Sequence, residues 1–250
     1  LKRVRAFAHV DDPLRHEHYR ELLTRDSQRA TATSALEARL AKMLRNSLWP
    51  DGGGFTSDAE AAAALQQEAA VRAEIAAVVD ISFEAARHVS LGLEGPLADV
   101  PLRVHAHYQR EEILGALDFP RNPNSFREGV WYSSEHNVDA CFITLKKSEA
   151  DYSPTTMYRD YPISPTLFHW ESQSTTSVES PTGQRYLSGS STVLLFARHE
   201  QTDEFGTAPY LFLGPASYVS HSGDQPIAIT WRMRHALPGD FFSIASAVAQ

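Results

Sequence analysis

The chain has 250 residues, 42% hydrophobic and 22% charged, enough for one large or two small folded domains with a sizeable core. Its net charge of −8, from 23 basic and 31 acidic residues, argues against coating nucleic acid through phosphate contacts alone. A local patch, or a pocket for one base, remains open to it. No apolar run approaches the roughly 20 residues that span a bilayer, and the basic start LKRVRAFAHVDD lacks the apolar centre of a signal peptide.

Residues 1–100 read as a helical region. Asp12 is placed as an N-cap and Pro13 as the first helical residue, with Leu14, His18/Tyr19 and Leu22 expected on the inward face. Ser34 and Glu37 have capping-box spacing ahead of a stripe of Leu36, Leu40, Met43/Leu44 and Leu48. PDGGG is a loop. The Ala-rich segment from Asp58 to His88 reads as a long helix with a break near Asp80–Ser82. GLEGPLADVP then ends the helical half with Gly and Pro.

Residues 101–250 form the β-rich part. HYQREEILGALDF is one more helix, with Ile113, Leu114 and Leu117 inward. GVWYS and VDACFITLK flank the polar SEHN and read as a hairpin. STVLLFARHE and APYLFLGPASYVSH are β-rich runs. In QPIAITWRMRHAL, Ile227, Ile229, Trp231 and Met233 alternate with smaller or charged residues, the pattern of a strand with one solvated face. The fold class is therefore α+β: helices first, then a mostly antiparallel sheet or partly closed barrel with peripheral helices.

The chemistry-bearing residue types give few constellations. One cysteine, Cys141, excludes an internal disulfide and a Cys-based zinc site; it suits a buried position and a cytoplasmic protein. His16-x-His18 and His105-x-His107 lack a third ligand at fixed spacing. Ser220, His221 and Asp224 fit a turn better than a triad, with Gly223 left-handed and Pro226 opening the next strand. DGGGF lacks the Lys and Ser/Thr of a phosphate loop. Glu128, Asp139 and Lys146 or Lys147 frame the hairpin as a cryptic metal-dependent nuclease, with poor carboxylate spacing. No cofactor is expected.

An aromatic–polar belt remains. Trp131, Tyr132, Tyr152, Tyr158, Tyr161, His169, Trp170 and Tyr186 interleave with Asp160, Ser164, Ser172, Gln173, Gln184 and Arg185. Aromatic faces stack on bases, and amides and Arg match base edges or a phosphate. Its centre is FHWESQSTTSVESPTGQRY, a Ser/Thr-rich segment between Phe168 and Tyr186 that reads as a loop anchored at both ends.

HYQREEILGAL, the block from REGVWYS through GQRYL, LLFAR and YLFLGPASYVSHSGDQPIAITWRMRHALP together resemble the domain of unknown function 3427. That domain lies at the C-terminal end of bacterial DEAD/DEAH-type helicases, often with an N-terminal phospholipase-D-like nuclease. HVDDPLRHEHYRELL and EARLAKMLRNSLW resemble the helical segment before it. The resemblance implies restriction or phage defence, with helicase and nuclease domains on the same or a partner polypeptide. It supplies no catalytic residues, and it expects Gln where Glu171 stands. The chain opens without Met, and a fragment of a longer protein is one reading.

The expectation is a non-catalytic DNA-reading module, with residues 101–250 as the reading domain and a modified or flipped base as one target. Tyr161, His169 and Trp170 supply stacking rings, Asp160, Gln173 and Gln184 read edges, and Arg185 holds a phosphate; Ser172 and the loop anchor Tyr186 complete the set of candidate DNA contacts. The alternatives are a docking or oligomerisation module working through the helical half, and the cryptic nuclease.

Overall fold

A computed structural model describes residues 4–24, 34–146 and 160–248. Lys147, Tyr152 and Tyr158 lie outside the described residues. The chain forms two compact units, Leu1–Arg127 and Glu128–Gln250. No described helix is long and apolar enough to cross a membrane.

The first unit is helical. After a 3-10 turn at Val4–Phe7 come α1 (Pro13–Thr24), α2 (Ala35–Leu48), α3 (Asp58–Gln67), α4 (Ala69–Glu84) and α5 (Arg110–Ala116). Short strands β1 (Leu91–Gly92), β2 (Arg103–Val104) and β3 (His107–Tyr108) lie between α4 and α5, and β1 pairs antiparallel with β2. Ser34 caps α2 by accepting the Glu37 N–H, and Leu40, Met43, Leu44 and Leu48 are buried. The Ala-rich segment breaks at Glu68, not at Asp80–Ser82. No Gly or Pro causes the break. α3 packs on α2, whereas α4 packs on α1 and the first 3-10 turn, so the two halves serve different partners.

The compositional change near residue 100 precedes the end of this unit, because α5 packs on α2. Gly115 makes the approach close. A Cβ there would lie 3.3 Å from the Met43 backbone and 2.9 Å from Asn46 Nδ2.

The inward face of α1 differs from the expected one. Arg15, Tyr19 and Leu23 are buried, and Leu14, His18 and Leu22 are only partly so. A charged network causes the rotation. Asp12 Oδ1 caps α1 by accepting the Arg15 N–H, and its Oδ2 accepts from Arg15 Nε at 2.5 Å. Arg15 Nη1 donates to Glu112 at 3.1 Å, and Nη2 donates to the His107 carbonyl at 2.6 Å. Glu112 also pairs with His9 Nε2 at 2.5 Å and accepts from Tyr19 OH and the Gln109 N–H. Arg15, Asp12 and Glu112 are each 0% exposed. Buried charge survives only when paired and hydrogen-bonded in this way. Burial would raise the Glu112 carboxyl, but the charges of His9 and Arg15 and the hydrogen bonds from His9 and Gln109 outweigh it and bring it down to about 2. The two His-x-His pairs have partners too: His107 Nδ1 meets Asp11 at 2.6 Å, and His16 Nε2 meets Asp80 at 2.9 Å.

Among the described residues, the second unit is one open mixed sheet with two helices; it does not close into a barrel. Its strands are β4 (Val130–Ser133), β5 (Val138–Thr144), β6 (Tyr161–Ser164), β7 (Leu167–Glu171), β8 (Thr192–Arg198), β11 (Tyr210–Ser222) and β12 (Ala228–Met233). β9 (Thr202–Asp203) and β10 (Gly206–Thr207) form a small hairpin between β8 and β11. The order across the sheet is β4-β5-β8-β11-β12-β7-β6. Along this order the neighbouring strands are antiparallel except β5 and β8, which are parallel. β4 and β5 are the expected hairpin.

One face of this sheet carries the core. Phe168, Trp170, Ile229, Trp231, Cys141, Ile143, Val193 and Leu195 pack there with Tyr186 of α6 (Pro181–Ser188) and Phe241 and Ala245 of α7 (Gly239–Val248). The other face is buried over β5, β8 and the start of β11, by Phe142, Phe196, Tyr210 and Phe212. Over β6, β7, β12 and the end of β11 it meets solvent.

Candidate nucleic-acid interface

The register assigns the solvated residues to one surface, because directly paired residues of antiparallel strands point to the same side. Tyr161 pairs with His169, His169 with Thr230, and Thr230 with Ser220. These four form a row across β6, β7, β12 and β11. A second row is Leu167, Arg232 and Ser217; a third is Glu171, Ala228 and Ser222. Strands lie about 4.8 Å apart, so the first row spans roughly 14 Å.

The chemistry of this face is aromatic at the edge and polar toward the middle. The Tyr161 and His169 rings stack with centroids 4.7 Å apart and planes at 28°. Both are half-buried. Glu171 Oε1 lies 4.0 Å from His169 Nε2. Arg232 is exposed and forms no ion pair among the described residues. The β6–β7 pairing has a bulge between Pro162 and Ser164, which leaves Ile163 47% exposed. A bulge and a proline are common ways to blunt an edge strand.

The Phe168–Tyr186 segment has a different architecture from the expected loop. Its last part is helix α6. Ser180 caps α6, Pro181 takes the first turn, and Gly189 ends it in the left-handed region at φ 65°. Residues between β7 and α6 are tied down. Ser172 and Ile227 exchange two hydrogen bonds of 2.9 Å, one of them through Ser172 Oγ. The Val178 N–H donates to Asp224 at 2.7 Å, and Gln184 Nε2 donates to the Val178 carbonyl at 2.8 Å. Gly183 is required at its position, since a Cβ there would meet the Ser177 carbonyl oxygen at 2.1 Å.

The sequence-derived candidates therefore separate. Tyr161 and His169 share the solvated face. Trp170 and Tyr186 are core rings, 5% and 2% exposed, edge-on to each other at 5.5 Å, so neither offers a free face to a base. Ser172 is buried in its exchange with Ile227. Asp160 accepts the Glu171 N–H at 3.0 Å and so supports β7. Gln173 lies in the corner, where its carbonyl accepts the Thr176 N–H. Gln184 is exposed on α6.

Arg185 is committed within the protein. It donates to both oxygens of Asp139, at 2.8 and 2.7 Å, and its guanidinium sits 3.9 Å from the Tyr132 ring centroid. The hydrogen bond and charge of Asp139 raise its pKa further. Asp139 also accepts from Ser191 Oγ at 2.5 Å. The nuclease pair is apart as well. Asp139 faces Tyr132 across the hairpin, whereas Glu128 precedes Val130, which faces Cys141. Glu128 lies before β4, four residues ahead of Tyr132, the residue opposite Asp139. Of the would-be triad, His221 Nδ1 hydrogen-bonds Tyr218 OH at 2.7 Å, and Asp224 holds Val178.

Thr230 and Arg232 were missing from the candidate set, and Ser220 entered it only as part of a turn or triad. Alternation in QPIAITWRMRHAL marks Thr230 and Arg232 as outward, but only the strand order brings them beside His169.

Among the described residues, the second unit is a mixed sheet with part of one face exposed. By sequence, the chain belongs to the family described as Domain of unknown function (DUF3427), whose model matches residues 102–244. No curated protein matches the chain.

Proposed function

We propose that the chain is a non-catalytic DNA-recognition module, serving helicase and nuclease domains of the same or a partner polypeptide in restriction or phage defence. The observation that carries this reading is the solvated row Tyr161–His169–Thr230–Ser220, with an unpaired Arg232 beside it. Stacked rings, hydroxyls and one free guanidinium are groups that read bases and phosphates. The helicase–nuclease setting rests on the family resemblance alone. The target is DNA with a base open to stacking, a modified or flipped base included.

The test is binding of this chain to plain and modified DNAs at fixed salt, with an acid placed on either of two surfaces. His169→Glu sets a charge on the proposed face and should weaken binding at least about tenfold, the scale of one lost base contact. Gln184→Glu, on exposed α6, should leave binding within about twofold, because a distant exposed charge is largely screened. The reverse order would move the interface to α6.

A second reading has one observation in its favour. Ile81, Val89 and Leu91 of the first unit are 67%, 84% and 39% exposed, apolar side chains that a partner would cover. Docking on a helicase core or self-association would use it. If a second copy covers it, sedimentation should show a dimer that Val89→Asp converts to monomer; a monomeric parent chain removes the self-association arm.

A further inference from the structure

We infer that the solvated face takes an unpaired stretch of single-stranded DNA, held mainly by stacking on Tyr161 and His169, rather than a flipped base or an intact duplex. This rests on the DNA-recognition reading above and names the strand state it requires.

Geometry separates the ligands. A base flipped from a duplex is normally enclosed, with walls on both of its faces and donors along its edge. The Tyr161–His169 pair instead lies on a sheet face that the described residues leave partly exposed, and its outer member belongs to the edge strand β6. A base laid on that pair extends a stack of two rings, and the same sheet offers Thr230 and Ser220 hydroxyls further along the row. A paired base cannot expose its ring to such a surface. Sheet faces with exposed aromatic residues suit splayed, unstacked bases for this reason.

Charge points the same way. Duplex affinity comes largely from many phosphate contacts. Among the described residues this face carries an exposed cation with no ion pair, Arg232, and an acid, Glu171, in a chain of net charge −8. Arg232 is a diagonal neighbour of His169, within about 7–8 Å at the backbone, so one phosphate beside the stacked base is within its reach. Glu171, on the other side of His169, repels a phosphate there. The strand is therefore held at one phosphate and by its ring faces, and its affinity should change little with salt.

The experiment measures binding of the whole chain to a fluorescent thymidine 12-mer and to a 12-base-pair duplex between 50 and 200 mM salt. Single-stranded binding should be tighter, with a log–log salt slope no steeper than about −1, given roughly −0.7 per phosphate contact on single strands. Tyr161→Ala should weaken it about 5- to 150-fold without changing the slope, and Tyr161→Phe, which keeps the ring, should bind like the parent. Arg232→Gln should flatten the slope by about 0.7. Duplex preference, a steep slope, or equal binding by Tyr161→Ala and Tyr161→Phe would overturn the inference while leaving DNA recognition standing. No binding to either oligonucleotide, with the parent chain folded, would remove the DNA-recognition reading itself.

Discussion

Glu112→Ala is expected to destabilise the first unit by about 3–5 kcal/mol, the usual result of removing one member of a buried charge cluster. The loss is not that of one hydrogen bond. Glu112 accepts from Arg15, Tyr19, His9 and the Gln109 N–H, and without it the fully buried Arg15 loses one of its two close carboxylates, keeping Asp12 and a longer 3.5 Å contact to Asp11. Helical circular dichroism reports on this unit, because most of the helix lies in it. An unchanged urea midpoint for the helical signal would show that the cluster contributes nothing.

The same carboxylate gives an acid signature. Its folded pKa of about 2 lies below its ordinary 4.5, so the folded state binds the proton more weakly than the unfolded chain. Its stabilisation is then complete above about pH 4.5 and lost progressively toward pH 2. Over that window the parent should lose on the order of 3 kcal/mol more than Glu112→Gln, which has no proton to gain. Parallel stability curves for the two proteins would contradict the assignment.

Trp170→Ala should cost roughly 3–5 kcal/mol in the second unit, as truncation of a buried aromatic does. The Trp170 ring meets Tyr186 edge-on at 5.5 Å and lies 6.3 Å from Trp231, on the core side of the sheet. A thermal melt of the variant should shift down by several degrees, with loss of near-ultraviolet aromatic dichroism. Any DNA-binding defect in Trp170→Ala would then follow from unfolding. Its neighbours His169 and Glu171 point the other way, so His169→Ala should melt close to the parent. A Trp170→Ala protein that melts like the parent would return the ring to the list of ligand contacts.

The contrast between Trp170 and His169 shows how far sequence carries. Alternation was readable where every second residue is large and apolar, as in Ile227, Ile229, Trp231 and Met233, all buried. FHWE has the same period, but His and Trp are both amphipathic, and period alone does not say which faces inward. The pairing of β7 with β12 decides it. Local signals that name their own partner were legible: the Ser34 cap and the β4–β5 hairpin around SEHN. The SPTG signal for α6, Ser before Pro at a helix start, was present but masked by the hydroxyl-rich run around it. The network in the first unit was not legible, since Asp12 reads only as a helix start and nothing in the sequence singles out Arg15. Only folding brings Glu112, 97 residues away, to Arg15.

The strand order also has a consequence during biosynthesis. β6 and β7 leave the ribosome well before β12, the strand that ties them to the rest of the sheet. Until Ala228–Met233 emerge, β7 presents an unpaired edge, and its core side chains Phe168 and Trp170 lack Trp231. Nascent chains with open edges and bare apolar residues are the ones that aggregate or recruit chaperones. The parallel β5–β8 pair adds to the delay, because its strands are joined by a long crossover that includes this very hairpin. The surface built from Tyr161, His169 and Thr230 is thus completed only once β12 has been translated, and a ribosome stalled before β12 displays its two rings without their seat.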